Sequence, residues 1–311
     1  MKTTSMGRIG CVLQVLRPHQ WTKNALVFLP VVLAQRLNEW NVWVLGILAF
    51  AVFCLAASGV YVVNDILDIE ADRQHPSKKN RPFAAGALSP RSGIILAVSL
   101  LLAALALAAA ALPSGAVLLV AFYALLSSSY SLWLKRFVMV DVLVLSGLYS
   151  LRILGGGLAT DTAVSRWLLA FSGFFFLSLA FAKRYTELHL LSFTNGPGQQ
   201  AAGRGYRVQD LSLLETLGPT SGYMAVLVFA LYINSEQMAR YYANPWALWL
   251  ICPVLVYWIS RVWFVAKRGE LHDDPVVFAL SDASSWLAGL LVLVLALLAV
   301  FFPRVPFAGT N

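Results

Sequence analysis

A chain that runs apolar for about twenty residues, again and again, leaves itself few solutions; each run is long enough for one helix to cross a bilayer while satisfying its own backbone hydrogen bonds. Nine such stretches are read here, at about 24–38, 43–67, 92–111, 115–133, 138–158, 165–186, 217–235, 246–264 and 284–302. The first is the weakest, with an apolar core of only about ten residues and Pro30 inside it. Composition agrees: 59% of residues are hydrophobic, 12% are charged and the mean hydropathy is +0.72, values that exclude an ordinary soluble domain. Met1 to Gln20 is polar and basic, without the apolar centre of a cleavable signal peptide. Cys11, Cys54 and Cys252 lie far apart and suggest neither a disulfide framework nor a thiolate metal site.

The net charge of +8 reads as topology, not as a nucleic-acid footprint. On the nine-span reading, 18 of the 23 Lys and Arg fall on one side; the exceptions are Arg36, Arg152, Arg166, Arg240 and Arg304. The positive-inside rule then puts the N-terminus in the cytoplasm and the C-terminus outside. The expectation is one integral-membrane domain over 1–311, with cytoplasmic loops at about 68–91, 187–216 and 265–283. Loop 189–212 has a flexible centre at Asn195-Gly196-Pro197-Gly198 and Gly203-Arg204-Gly205. Spans two and six both end in charged clusters on the same side, a weak echo that suggests two four-helix halves facing each other across a central site.

The first of those clusters carries the chemistry. In Asn64-Asp65-Ile66-Leu67-Asp68-Ile69-Glu70-Ala71-Asp72, helical spacing puts Asn64, Asp65, Asp68 and Asp72 within an arc of about 100°, with Glu70 turned away. Three like charges on one stripe at a bilayer boundary repel unless they hold something, and oxygen ligands of this kind suit Mg²⁺ bridged to phosphate. A solvated, capped helix end is the plain alternative. Pro76 stops the helix, and a basic loop with Lys78, Lys79 and Arg81 follows. Acids for a metal beside bases for phosphate oxygens make a diphosphate site in two halves.

Other clusters fit the same chemistry. Lys183-Arg184-Tyr185-Thr186-Glu187 closes span six; it reads either as an intrahelical ion pair or as bases for substrate phosphates, with Tyr185 and Glu187 on sugar hydroxyls or metal water. Arg17-Pro18-His19-Gln20-Trp21-Thr22-Lys23-Asn24 leads into span one, and its Arg-Pro and Trp resemble ordinary membrane anchoring. Tyr130 and Lys135 end span four. Asp141, just inside span five, needs a partner that Lys135 or Lys183 can supply, and Arg152 needs one that Asp161 can supply. A transporter's ion path would spread its acids through the bilayer depth; these gather at one rim beside bases, which favours an enzyme.

Asn64-Asp65-x-x-Asp68-x-x-x-Asp72 followed by Arg81-Pro82 resembles the first signature of the UbiA prenyltransferase superfamily, and the likeness covers nearly the whole chain. It implies an all-α, nine-helix membrane bundle around a central cytoplasm-facing site. Aromatic prenyltransferases of that superfamily carry a second Asp-x-x-x-Asp on helix six, whereas this chain has Lys183-Arg184-Tyr185-Thr186-Glu187 there. With Arg17-Pro18, Gln20-Trp21, Lys23-Asn24, and Tyr130 through Lys135, the chain looks more like the decaprenyl-phosphate phosphoribosyltransferase branch. That resemblance implies transfer of 5-phosphoribose from phosphoribosyl diphosphate to a polyprenyl phosphate, with Mg²⁺ as cofactor. Asp65, Asp68 and Asp72 are then catalytic and, with Asn64, metal-holding. Lys23, Asn64, Lys78, Arg81, Tyr130, Lys135, Lys183, Arg184, Tyr185 and Glu187 bind substrate. The alternative is prenyl transfer from a prenyl diphosphate to an aromatic acceptor, with Asp273 and Asp274 in place of the second pair. Either way the partners are the lipid bilayer and the substrates, no nucleic acid is expected, and the enzyme belongs in a bacterial inner membrane. Whether it forms a homo-oligomer stays open.

Overall fold

The computed structural model describes residues 8–74, 78–195, 203–235, 242, 244, 246–271 and 274–301. Several expectations fall outside them: Pro76 as helix stop, the 196–198 turn, Asp273, and the positions of Lys2, Arg240 and Arg304. The described residues are mostly helical and form no strand. They include eight helices long and apolar enough to cross a membrane. The stretch expected as a short first span is a tight 3₁₀ segment, Pro18–Phe28, running into α2 (Leu29–Leu33). Pro18 and Pro30 each sit at the start of one of these short pieces, where a missing N–H costs nothing.

The chain divides into two compact units, Met1–Val164 with Ala202–Gly205, and Ser165–Ala201 with Tyr206–Asn311. Four membrane-length helices belong to each, in keeping with the echo between spans two and six. In the first unit α1 (Arg8–Leu16) precedes the 3₁₀ segment, and α3 (Trp40–Leu67) is the central helix. Around α3 pack α5 (Pro90–Ala111), α6 (Ser114–Leu132) and α7 (Val140–Ala159). Its core joins small and large side chains: Ala49, Val52, Phe53 and Ala56 of α3 meet Ala104, Ala108, Val120, Tyr123 and Leu148.

Small residues on α7 let other chains come close. A Cβ on Gly156 would lie 1.9 Å from the Val27 carbonyl oxygen, and one on Gly155 would lie 2.6 Å from the Phe53 ring. The glycines therefore allow the 3₁₀ segment to lie directly on α7, and that contact sets where Lys23 and Asn24 stand.

In the second unit, α8 (Arg166–Asn195) pairs along its length with α9 (Leu211–Ile233). Alpha-helical structure thus continues past the expected end of span six at 186, through the Lys183–Glu187 cluster. Next come α10 (Trp246–Trp249), α11 (Ile251–Lys267), α12 (Pro275–Ser281) and α13 (Ala283–Phe301). Helix α12 occupies part of the region expected as the 265–283 loop. Gly218 admits the Trp263 ring, which a Cβ would meet at 1.8 Å, and the Trp263 indole N–H donates to Ser178 Oγ at 3.1 Å. Arg261 makes a two-pronged bridge to Asp282 at 2.7 and 2.9 Å, and Asp282 also accepts from the N–H and hydroxyl of Ser285, capping α13.

Candidate active site

The acidic stripe straddles a helix break. Helix α3 ends at Leu67, Asp68 caps it, and the short α4 (Ile69–Gln74) follows. The break does not scramble the stripe, because the Asp68 N–H still donates to the Asn64 carbonyl at 3.0 Å and the Asp72 N–H to the Asp68 carbonyl at 2.7 Å. Helical phase is preserved: Asp65 and Asp72 are buried at 2% and 4% exposure, while Glu70 faces outward and pairs with Arg73 at 2.9 Å.

Each carboxylate of the stripe has a base from elsewhere in the same unit. Arg81 donates to Asp65 at 3.2 Å and to Asp72 at 2.7 Å, so the basic loop folds back onto the acids it follows in sequence. Arg17 donates to Asp65 at 2.5 Å. Lys135 reaches both oxygens of Asp68, at 2.9 and 3.1 Å, and the Asn64 amide N–H₂ donates to Asp68 at 3.0 Å. Buried ions this close cost several kcal/mol each to desolvate unless paired, and here the pairing supplies the compensation. Of the expected site residues, Asp65 and Asp72 thus share Arg81, while Asn64 and Asp68 share Lys135, two bonded groups on one stripe. Lys78 stands in the exposed 3₁₀ turn Lys78–Asn80, whose carbonyl at Lys78 accepts from the Arg81 N–H at 2.9 Å.

Two further nodes belong to this unit. Tyr130 donates to Asp141 at 2.6 Å, and Arg204 donates to both, at 3.1 Å to Asp141 and 3.2 Å to Tyr130. Asp141 is fully buried, and its partner Arg204 lies 63 residues further along the chain, while Lys135 turns to Asp68 and Asn64. The second node centres on Arg152, whose expected partner was Asp161. Instead its Nε donates to Asn24 at 2.7 Å, and its other nitrogens donate to the Leu148 carbonyl at 2.6 Å and Tyr123 OH at 2.7 Å. Asp161 sits beyond the end of α7, about two turns further on, and a mid-helix arginine finds acceptors at its own depth. Lys23, buried at 8% exposure, lies 5.8 Å from the Tyr149 ring centre, and Arg152 lies 5.4 Å from it.

The cluster in the second unit is likewise engaged. Lys183 pairs with Asp274 at 2.7 Å, and Asp274 at the same time caps α12 by accepting the Val276 N–H at 3.1 Å. Arg184 is almost fully buried and bonds Glu187, as the one-turn spacing suggests. Tyr185 donates to Glu215 at 3.0 Å, and Lys267 pairs with that same glutamate at 3.1 Å.

Sequence reasoning passed over Arg17 as a ligand of the stripe. Its backbone lies in the left-handed region, φ 52° and ψ 59°, directly before Pro18. For a non-glycine residue this costs of order 1–3 kcal/mol and persists only where neighbours hold it. They do: Ser58 donates to the Leu16 carbonyl at 3.0 Å and accepts from the Trp21 indole at 3.0 Å, which pins the chain to α3 on both sides of the turn. Trp21 is therefore a brace between segments as well as an aromatic near the span end. Arg204, Tyr123 and Glu215 were also missed, and Asn24 was read in its motif without its partner Arg152, since no local pattern joins residues so far apart in the chain.

The donor set of the stripe, one amide and three carboxylates, has the chemistry that a hard divalent cation prefers. Among the described residues no three acids, histidines or cysteines converge tightly enough to cage a metal by themselves.

The fold is that of a multi-pass membrane protein, and its family makes it a membrane transferase. Residues 25–283 match the model of the UbiA prenyltransferase family, and the chain belongs to that family. It is 36% identical over 294 residues to the nodulation protein NoeC of Azorhizobium caulinodans, covering 94% of this chain and 93% of NoeC. It is 33% identical over 290 residues to decaprenyl-phosphate phosphoribosyltransferase of Mycobacterium tuberculosis, covering 90% of this chain and 93% of that one. It is also 36% identical over 281 residues, 90% of this chain, to the uncharacterized protein y4nM of Sinorhizobium fredii, of which it spans only 54%. Among solved structures, a UbiA homolog from Archaeoglobus fulgidus bound to DMAPP and Mg²⁺ superposes with a TM-score of 0.67 at 16% identity, covering 91% of this chain and 98% of that one.

Proposed function

We propose that this protein transfers 5-phosphoribose from phosphoribosyl diphosphate to a polyprenyl phosphate, with Mg²⁺, and releases diphosphate. The observation that supports this reading best is the interleaving of acids and bases at one rim: Asp65, Asp68 and Asp72 each face Arg17, Arg81 or Lys135. A donor with a diphosphate and a 5-phosphate, together with a phosphorylated lipid, brings more anionic groups than a prenyl diphosphate does. Such a load calls for direct bases as well as metal. The relatives named decaprenyl-phosphate phosphoribosyltransferase favour the same donor.

Bound Mg²⁺, held through Asn64, Asp65, Asp68 and Asp72, would supply neutralisation of charge on the leaving diphosphate. The rest falls to the protein. Arg81 and Lys135 hold phosphate oxygens and fix the ribose relative to the lipid phosphate, whose oxygen is already ionised at neutral pH. That oxygen bonds to C1 as the C1–diphosphate bond breaks, so no strong general base is required; positioning and charge stabilisation carry the rate. Lys23, Lys78 and Tyr130 complete the phosphate and sugar contacts of the first unit. In the second unit we assign Lys183 and Arg184 to phosphate, with Tyr185 and Glu187 beside them. The same reading treats 1–311 as one transferase domain in a bacterial inner membrane, with N-terminus and site cytoplasmic, as the charge bias implies.

Prenyl transfer from a prenyl diphosphate is the competing reading, favoured by the DMAPP- and Mg²⁺-bound homolog of the same fold. Purified protein with ribose-labelled phosphoribosyl diphosphate, polyprenyl phosphate and Mg²⁺ separates the two. Label should move into the lipid fraction. Prenylation of an aromatic acid, with no label in lipid, would reject the phosphoribosyl assignment.

A further inference from the structure

The three carboxylates of the stripe are matched by three bases bonded to them. Asp65 accepts from Arg17 and Arg81, Asp72 from Arg81, and Asp68 from Lys135. A bare divalent cation reaching buried Asp65 or Asp72 meets a carboxylate already bonded to a base and competes with that base for it. A cation that arrives with a diphosphate changes the balance, because the displaced bases then have phosphate oxygens to take.

Arg17 is the base best built for such an exchange. Its partner oxygen on Asp65 is buried, while a fifth of the Arg17 side chain, 19%, reaches the exterior. The guanidinium also lies 5.4 Å from the Tyr61 ring centre, a flat support that does not depend on Asp65. Its backbone is locked in the left-handed region between the Ser58 bonds to Leu16 and Trp21, so a change of partner requires only side-chain motion.

We propose that Arg17 is a diphosphate-binding residue held on Asp65 until substrate arrives, passing to a phosphate oxygen as the metal takes the carboxylate. Metal and diphosphate are then taken up together, each weakly alone. This rests on the stripe being the metal site, but not on which diphosphate donor is used, since phosphoribosyl and prenyl donors share the diphosphate.

The test uses the full-length protein in detergent, with Mn²⁺ as probe and inorganic pyrophosphate as the diphosphate. Free and bound Mn²⁺ are read by electron paramagnetic resonance and corrected for Mn²⁺–pyrophosphate complexes in solution. Wild type should bind Mn²⁺ about tenfold or more tighter with pyrophosphate present, within the usual range of site coupling. Arg17→Gln should tighten Mn²⁺ alone and lose most of that enhancement. Wild type that binds Mn²⁺ equally with and without pyrophosphate would overturn the proposal, as would an Arg17→Gln protein that binds Mn²⁺ more weakly alone. Should the glutamine variant not purify folded, Arg17→Lys carries the same titration; reduced coupling supports the exchange and unchanged affinities refute it. A protein that shows the coupling yet moves no phosphoribose loses only the donor assignment.

Discussion

Gly156→Ala is the most exacting test of how the first unit is assembled. The added methyl would sit 1.9 Å from the Val27 carbonyl oxygen and 2.6 Å from its carbonyl carbon, with Val27 fully buried. Neither atom is the end of a flexible side chain, so relief requires the whole 3₁₀ segment to lift from α7. Overpacking of this kind costs about 1–3 kcal/mol. Lifting the segment also stretches the 2.7 Å bond from Arg152 Nε to Asn24, and a buried hydrogen bond to a charged group adds roughly 1.5–3 kcal/mol. The helix-propensity gain of alanine over glycine returns only about 0.5–1 kcal/mol. The net loss is roughly 2–5 kcal/mol, or about 3–8 °C in apparent melting temperature by the usual scaling for a chain of this size. The assay is thermal unfolding in detergent, with Gly147→Ala as control, because nothing lies within 4 Å of a Cβ at position 147 of the same helix. The control should be neutral or slightly more stable. Equal melting of the two variants would refute the close approach, and with it the account of how Lys23 and Asn24 are placed.

Asp68→Asn should abolish transfer while leaving the protein folded, since Asp68 is partly exposed and, among the described residues, pairs with Lys135 and Asn64; unchanged turnover would show that the stripe does not hold the metal. Stability should also carry an acid limb from Asp282. Burial pushes that carboxyl upward, but the Ser285 hydroxyl and N–H and the Arg261 guanidinium outweigh it and leave its pKa below the ordinary carboxylate value. A depressed folded-state pKa means the unfolded chain binds the proton more readily, so this stability is present above the unfolded value near 4 and is lost as pH falls through the folded one. Melting followed from pH 6 to 3 should therefore fall less steeply in Asp282→Asn than in wild type; parallel curves would contradict the assignment.

Eight long apolar stretches were legible because a membrane span is written in one continuous segment, and the helix bounds agree with the sequence to within three residues except where α8 runs on to Asn195 and α9 begins at Leu211, six residues before the expected 217. The first stretch was not legible as it stands: its ten or so apolar residues admit either a span or shorter pieces, and Pro18, Pro30 and contact with Gly156 decide for the latter. The acidic stripe, too, was readable, since one helical repeat places Asp65, Asp68 and Asp72 together and turns Glu70 away. Its partners were not. Arg17 and Lys135 lie 48 and 67 residues from the acids they bind, Arg204 lies 63 from Asp141, and Arg152 lies 128 from Asn24. Periodicity reports which residues share a face, so the sequence by itself determined a membrane-spanning helical chain with an acid stripe at one rim. Which base meets which acid depends on how helices pack across the unit, and only the tertiary structure decided that the stripe is neutralised by Arg17, Arg81 and Lys135.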